Sequence, residues 1–256
     1  MKDWGIFSSK REGPPVPAKS KSKRQDYGLH TIVPGPKATS RRVDIVAIHG
    51  LNGHYLQTWT DEATGVNWLR DLLPRTVPDA RVMSLSYNSM LQFSKSTADV
   101  STFALQLLEG ISAERESLEE ASLPIIFICH SLGGLVFKQA YILATRDPQY
   151  VDLKARFKGV MFFGTPHRGS NLAPWAKTFA GLLEFASFNT STNTQLARDL
   201  EPSSKKLRRI SDTFHGLCSR DQHPVISCYE TNKMTGLNAP VSRPLHMPLP
   251  RVDAKL

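Results

Sequence analysis

Cysteine is scarce in this sequence, with three in 256 residues, at positions 129, 218 and 228. An odd count at uneven spacing argues against a disulfide framework and for reduced thiols in a cytosol-like compartment. Long apolar runs are missing as well, and none approaches the roughly 20 residues that cross a bilayer. The opening residues, Met1 to Phe7, lack the apolar core of a secretory signal, and Asp3 and Glu12 interrupt a presequence. Basic charge is short where a nucleic-acid binder needs it. The formal net charge is +9, but residues 1–42 hold ten Lys/Arg against three Asp/Glu, and the other 214 hold 22 against 20. The basicity belongs to an N-terminal arm, so no nucleic-acid partner is expected for the rest.

Large apolar groups are few between residues 8 and 42, where Pro14, Pro15, Pro17, Pro34 and Pro36 punctuate Ser, Lys and Arg. Residues 1–42 are therefore expected to form a disordered basic arm, with one short edge strand over Gly28–Val33 before Pro34 and Gly35 end it. The run Lys19–Arg24 reads as a solvated arm, a nuclear address or a contact for anionic lipid. Residues 43–232 are long enough for one ordinary α/β domain. Residues 233–256 read as an irregular, proline-rich tail.

What is present centres on Ile125-Ile126-Phe127-Ile128-Cys129-His130-Ser131-Leu132-Gly133-Gly134. A short apolar run ends abruptly, a serine follows, and two glycines open a helical segment. This is the strand–serine–helix order of a nucleophile elbow, which lifts the hydroxyl above the sheet and aims helix N–H groups at it. The G-x-S-x-G pattern is broken at its first position, where Cys129 stands, although cysteine is also small. The competing reading is a buried strand, a Ser N-cap and a glycine-rich helix start.

Val43–Ile48 reads as a buried strand running into His49-Gly50-Leu51-Asn52-Gly53-His54. In an esterase such a loop supplies one oxyanion-hole N–H and the residue after the serine the other, which assigns Leu51 and Leu132. His49, Gly50 and His130 are expected to line the substrate site, and no metal site is expected from His49, His54 and His130. Asn67–Leu73 reads as a helix stopped at Pro74, and Arg81–Tyr87 as a strand. Val100, Phe103, Ala104, Leu107, Leu108 and Ile111 mark one face of a long helix, whose far end, Glu114 to Glu120, reads as charged and solvated. Lys158–Phe163 is another buried strand, ending in Gly164-Thr165-Pro166-His167. The alternation of strands and helices predicts a mainly parallel sheet with right-handed crossovers and helices on both faces. Three candidate loops, at residues 49–50, 131 and 165–167, then converge on its carboxyl rim.

These three motifs, His49-Gly50-Leu51, Cys129–Gly134 and Phe162–Ser170, together resemble the lipase-like α/β-hydrolases with a serine active site. The resemblance is to the module at the N-terminus of fungal NACHT, NB-ARC and ankyrin-repeat proteins, and it covers roughly residues 26–232. The chain is also similar to eukaryotic serine-active-site proteins of the mitochondrion–endoplasmic-reticulum contact. The resemblance implies an α/β-hydrolase fold, a Ser–acid–His triad and an acyl-ester or lipid-like substrate, with no cofactor. It implies that Thr165 and His167 shape the floor of the site. It also implies repeat or NTPase domains beside this one in longer relatives. The compartment expected is the cytoplasm, or the cytosolic face of the endoplasmic reticulum or mitochondrion with peripheral membrane contact. The stripe Leu172, Trp175, Phe179, Leu182, Leu183 and Ala186 reads as a lid, a lipid-facing helix or an amphipathic helix packed on the core.

In this fold class the acid follows a late strand and the histidine comes last. Glu230, after the strand Pro224–Tyr229, fits the acid better than Asp212 or Asp221, which lie in a helix formed by Leu207, Ile210, Phe214 and Leu217 and in its following turn. His246 is the last histidine and the default base, but it sits among Pro240, Pro244, Pro248 and Pro250, which forbid a central strand. The Asp-His segment of the resembling families is absent there, so the fold is expected to be C-terminally truncated. Two readings stay open: an active serine esterase using Ser131, Glu230 and His246, and a recognition or signalling module that kept the fold without its base.

Overall fold

A computed structural model of the chain describes residues 27–37, 39–89, 98–165, 167 and 193–228, with the backbone alone at 98–99 and 193–206. Among the described residues six strands form one sheet: β1 (Gly28–Val33), β2 (Val43–Ile48), β3 (Ala80–Ser86), β4 (Ile125–His130), β5 (Phe157–Phe163) and β6 (Val225–Cys228). Their spatial order is β1-β3-β2-β4-β5-β6. β1 runs antiparallel to β3, and every other pairing is parallel. β1 comes from the segment assigned to the arm, and it forms an edge of the sheet as its sequence predicted.

Interior parallel strands need apolar residues on both faces, and β2 supplies them. Its Val46 and Ile48 join a core shared with α2 (Ala98–Ala113), α4 (Leu132–Arg146) and α6 (Asn193–Asp221). Val43, Ile45 and Ala47 face the other side, against Trp59, Leu69 and Ile128. The helical stripe read from the sequence of α2 is buried throughout, from Val100 to Ile111. Phe137 of α4 packs on Phe127, Phe162 and Phe214, so one aromatic cluster joins β4, β5, α4 and α6. The second face is covered by a 3₁₀ turn (Gln57–Trp59) and a π-helix (Trp68–Leu72) that continues into α1 (Leu73–Thr76). The short α3 (Leu118–Ser122) precedes β4, and α5 (Val151–Lys154) precedes β5.

Two local expectations are corrected. Pro74 does not stop the Asn67–Leu73 helix; it occupies the first turn of α1, where the missing N–H would have had no intrahelical acceptor. The segment Glu114–Glu120 is not simply solvated. Arg115 is buried and pairs with Asp44, which is fully buried, while also donating to the carbonyls of Ala121 and Leu123. Arg81 grips both oxygens of Asp44 at 2.9 Å, and Glu120 accepts from Arg41 at 3.1 Å. A buried charge is tolerated only when paired, and these arginines pair Asp44 at the amino end of the sheet.

Among the described residues no helix is long and apolar enough to cross a membrane. The stripe 172–186, the basic run 19–24 and the tail 233–256 lie outside the described residues.

Candidate active site

β4 delivers Ser131 to the carboxyl rim, and α4 begins at the next residue. Between them Ser131 adopts φ 50° and ψ −116°, a region that costs a non-glycine residue on the order of 1–3 kcal/mol. The surrounding groups hold it there. Its N–H donates to Phe163 O at 2.8 Å, and its carbonyl accepts from Gly134 N–H and from Thr165 Oγ1–H, each at 3.1 Å. Ser131 remains partly exposed while Leu132 beside it is buried.

Glycine is required at this bend because three segments of backbone meet. A Cβ on Gly133 would collide with the carbonyls of Ile48 and His49, and one on Gly134 with the Thr165 side chain. A Cβ on Gly50 would stand 2.9 Å from Ser131 Cβ and 3.0 Å from His130 Nδ1. The Gly50 loop, the serine and the Thr165 loop are therefore in mutual contact, as the three motifs predicted. Cys129, where the motif has its first glycine, is fully buried in the core.

Leu132 is the first residue of α4, so its N–H has no intrahelical acceptor. Leu51 follows the Gly50 contact on the opposing loop. His49 does not open to solvent, being 1% exposed. Its ring stacks on Tyr87 at 4.3 Å, its Nδ1–H donates to Gly50 O at 2.8 Å, and its carbonyl accepts from Tyr87 Oη–H at 2.7 Å. Burial brings its pKa down to about 4, partly offset by the Gly50 bond, with His54 and His130 pulling further down. His49 thus braces the loop as a neutral ring.

Burial also lowers the pKa of His130, whose Nδ1 is buried with no hydrogen-bond partner among the described residues. Thr165 is buried and secures the elbow from the side. His167 is buried too, with its ring edge-on to Phe162 at 4.9 Å and its Nε2 3.2 Å from Ser227 Oγ. Burial, and then Lys138, hold its pKa well down. Asp212 and Asp221 lie on α6, and Asp221 is engaged by Tyr141 and Lys154. Glu230 and His246 lie outside the described residues.

The sequence reading passed over two features. Lys138, two helical turns beyond Ser131, is buried, donates to Ser211 Oγ at 3.2 Å and lies 5.5 Å from the Phe162 centroid. Burial pulls its pKa down to about 7 against the opposing influence of Cys129. A lone lysine inside an apolar helix was the available signal. The other is a cavity of about 440 Å³ walled by Thr58, Trp59, Trp68, His130 and Phe163. Only His130 among these had been singled out, because the two tryptophans belong to separate elements.

A family model described as "Putative serine esterase (DUF676)" matches residues 43–191. The chain is 26% identical over 229 residues to Protein SERAC1 of Danio rerio, covering 81% of this chain and 34% of that protein. It is likewise 26% identical over 227 residues to Protein SERAC1 of Mus musculus, covering 82% and 33%. The chain spans about a third of the length of these curated relatives. Among solved structures, the lipase BlEst2 of Bacillus licheniformis in its mature form superposes with a TM-score of 0.51 at 17% identity, covering 84% of this chain and 76% of that one. That likeness agrees with the strand order and elbow in showing an α/β-hydrolase fold.

Proposed function

The chain belongs to the DUF676 serine esterase family, and from that premise we propose that it cleaves an acyl ester, with Ser131 as nucleophile. The observation that carries this reading is the strained backbone of Ser131 at the strand-to-helix bend, since such strain persists where the surrounding fold enforces it and clusters at active sites. Ser131 Oγ attacks the acyl carbon as its proton passes to the base, and the carbonyl oxygen becomes an oxyanion held by the Leu51 and Leu132 N–H groups. Collapse expels the alcohol, which takes the proton from the base. Water then attacks the acyl-serine by the same route and releases the acid. Glu230 is the proposed orienting acid and His246 the proposed base. The substrate is an acyl-ester or lipid-like molecule.

The same reading takes the chain as cytoplasmic, in keeping with its free Cys129, Cys218 and Cys228. Its basic arm would give peripheral contact with an anionic membrane, such as the cytosolic face of the endoplasmic reticulum or mitochondrion. In longer relatives the unit would work beside repeat or NTPase domains.

Labelling with a fluorophosphonate tests the proposal. The chain should react stoichiometrically, Ser131→Ala should not react at all, and His246→Ala should react at least about a hundredfold more slowly, the usual worth of a general base. Full reactivity in His246→Ala would transfer the base role to another residue. No reaction in the parent chain would favour a recognition module that has the fold without the chemistry.

A further inference from the structure

The cavity beside the elbow lies on the sheet face opposite α4. His130 and Ile128 share that face of β4, and Ile128 packs there with Trp59, Trp68 and Phe163. Two of its walls hold the serine directly: His130 precedes Ser131 in the chain, and Phe163 O accepts the Ser131 N–H at 2.8 Å. The space therefore adjoins the elbow through these two residues.

Its walls are fixed by hydrogen bonds from behind. Trp59 Nε1–H donates to Ser84 Oγ at 3.3 Å. Asn67, buried between the two tryptophan-bearing elements, donates to Leu56 O at 3.0 Å and Thr60 Oγ1 at 2.9 Å, and its Oδ1 accepts from Arg70 N–H at 3.1 Å. Trp68 meets Trp59 and Phe163 edge-on, with centroids 6.0 and 6.4 Å apart. Rotamers locked in this way are the mark of a preformed ligand site rather than an accidental void.

The wall chemistry selects the occupant. Three aromatic rings dominate, and among the described residues no lining side chain carries a fixed charge, so phosphate, carboxylate and ammonium groups find no counter-charge there. In a lipid ester the acyl half is reliably apolar, whereas the alcohol half often carries the charged group. At about 30 Å³ for a water-sized group, roughly the size of one methylene, about 440 Å³ takes an eight-carbon chain without being filled. We propose that Thr58, Trp59, Trp68, His130 and Phe163 form the acyl-chain site of this esterase, taking an uncharged aliphatic chain of medium length. The assignment rests on the esterase reading and goes beyond it in naming which half of the ester is recognised and where.

The test is a chain-length series. For p-nitrophenyl esters from acetate to octanoate, kcat/KM should climb about fourfold per methylene, the worth of one buried CH₂. Trp68→Ala, which removes a wall, should lower the octanoate-to-acetate ratio by at least about fourfold. Phe163→Trp, which fills space, should shift the optimum to shorter chains. Acetate esters of ethanol through octanol should show no such climb. A flat acyl series, or a climb in the alcohol series instead, overturns the assignment while the esterase reading stands. Should the parent chain hydrolyse no ester, calorimetric titration with octanamide decides. Saturable binding to the parent and to Ser131→Ala, lost in Trp68→Ala, upholds the cavity although the esterase reading has failed. No binding overturns both.

Discussion

At the scale of single residues, Ser131 trades stability for position. A glycine could adopt φ 50° and ψ −116° without steric cost, whereas serine bears on the order of 1–3 kcal/mol there. Ser131→Gly should therefore raise stability to urea by about 1 kcal/mol, after the greater entropy of glycine in the unfolded chain takes its share, while fluorophosphonate labelling vanishes. A loss of stability would mean that the hydroxyl anchors the bend rather than being displayed by it. His49 makes a second residue-scale prediction. Its folded pKa of about 4 lies below the ordinary 6.5, so between those values the unfolded chain binds a proton that the native ring refuses. Stability must then rise with pH across that window and fall as pH drops from 6.5 towards 4, by up to about 3 kcal/mol. His130 and His167 are shifted in the same direction and add to the slope. His49→Asn, which keeps a donor for Gly50 O, should flatten the urea-midpoint profile between pH 6.5 and 4 relative to the parent. An unchanged slope would show that His49 is not the group responsible.

At the scale of elements, what the sequence disclosed was whatever depends on local pattern. The β-branched runs of β2 and β4 and the 3.6-residue stripe of α2 are periodic signals, and the structure places those elements within a few residues of expectation. Gly133 and Gly134 were legible as an elbow because close packing at a strand-to-helix bend admits little else. Partnerships between distant elements were not legible. Arg115 looked like one more charge in Glu114–Glu120, and only the meeting of β2, β3 and the α2–α3 link reveals that it serves Asp44. The tryptophan wall was hidden for the same reason, since Trp59, Trp68 and Phe163 share no sequence period, and the buried amide of Asn67 ties only the two tryptophan-bearing segments together. Pro74 misled because a proline that ends one helix and a proline that begins another look alike in sequence.

At the scale of the whole molecule, the sheet separates its two tasks along its own length. The carboxyl rim carries the strained serine, the glycine contacts and the aromatic cavity. The amino rim carries Asp44 between Arg81 and Arg115, with Arg41 and Glu120 beside them. Parallel strands make this division natural, because β2 to β6 all arrive at the same rim and the loops there can vary without touching the opposite end. The two rims should therefore be energetically independent, as sites with no shared partner usually are. Asp44→Asn leaves Arg81 and Arg115 buried without their carboxylate, and removing one member of a buried pair costs about 3–5 kcal/mol. Urea denaturation should register that loss, yet the fluorophosphonate labelling rate per folded molecule should match the parent, since nothing at the bend has moved. In the double variant Asp44→Asn, Ser131→Gly the two stability changes should add within about 0.5 kcal/mol. A labelling rate that falls with Asp44→Asn in fully folded protein, or a marked failure of additivity, would show instead that the ion cluster reaches through β2 and β4 to set the angle of the serine.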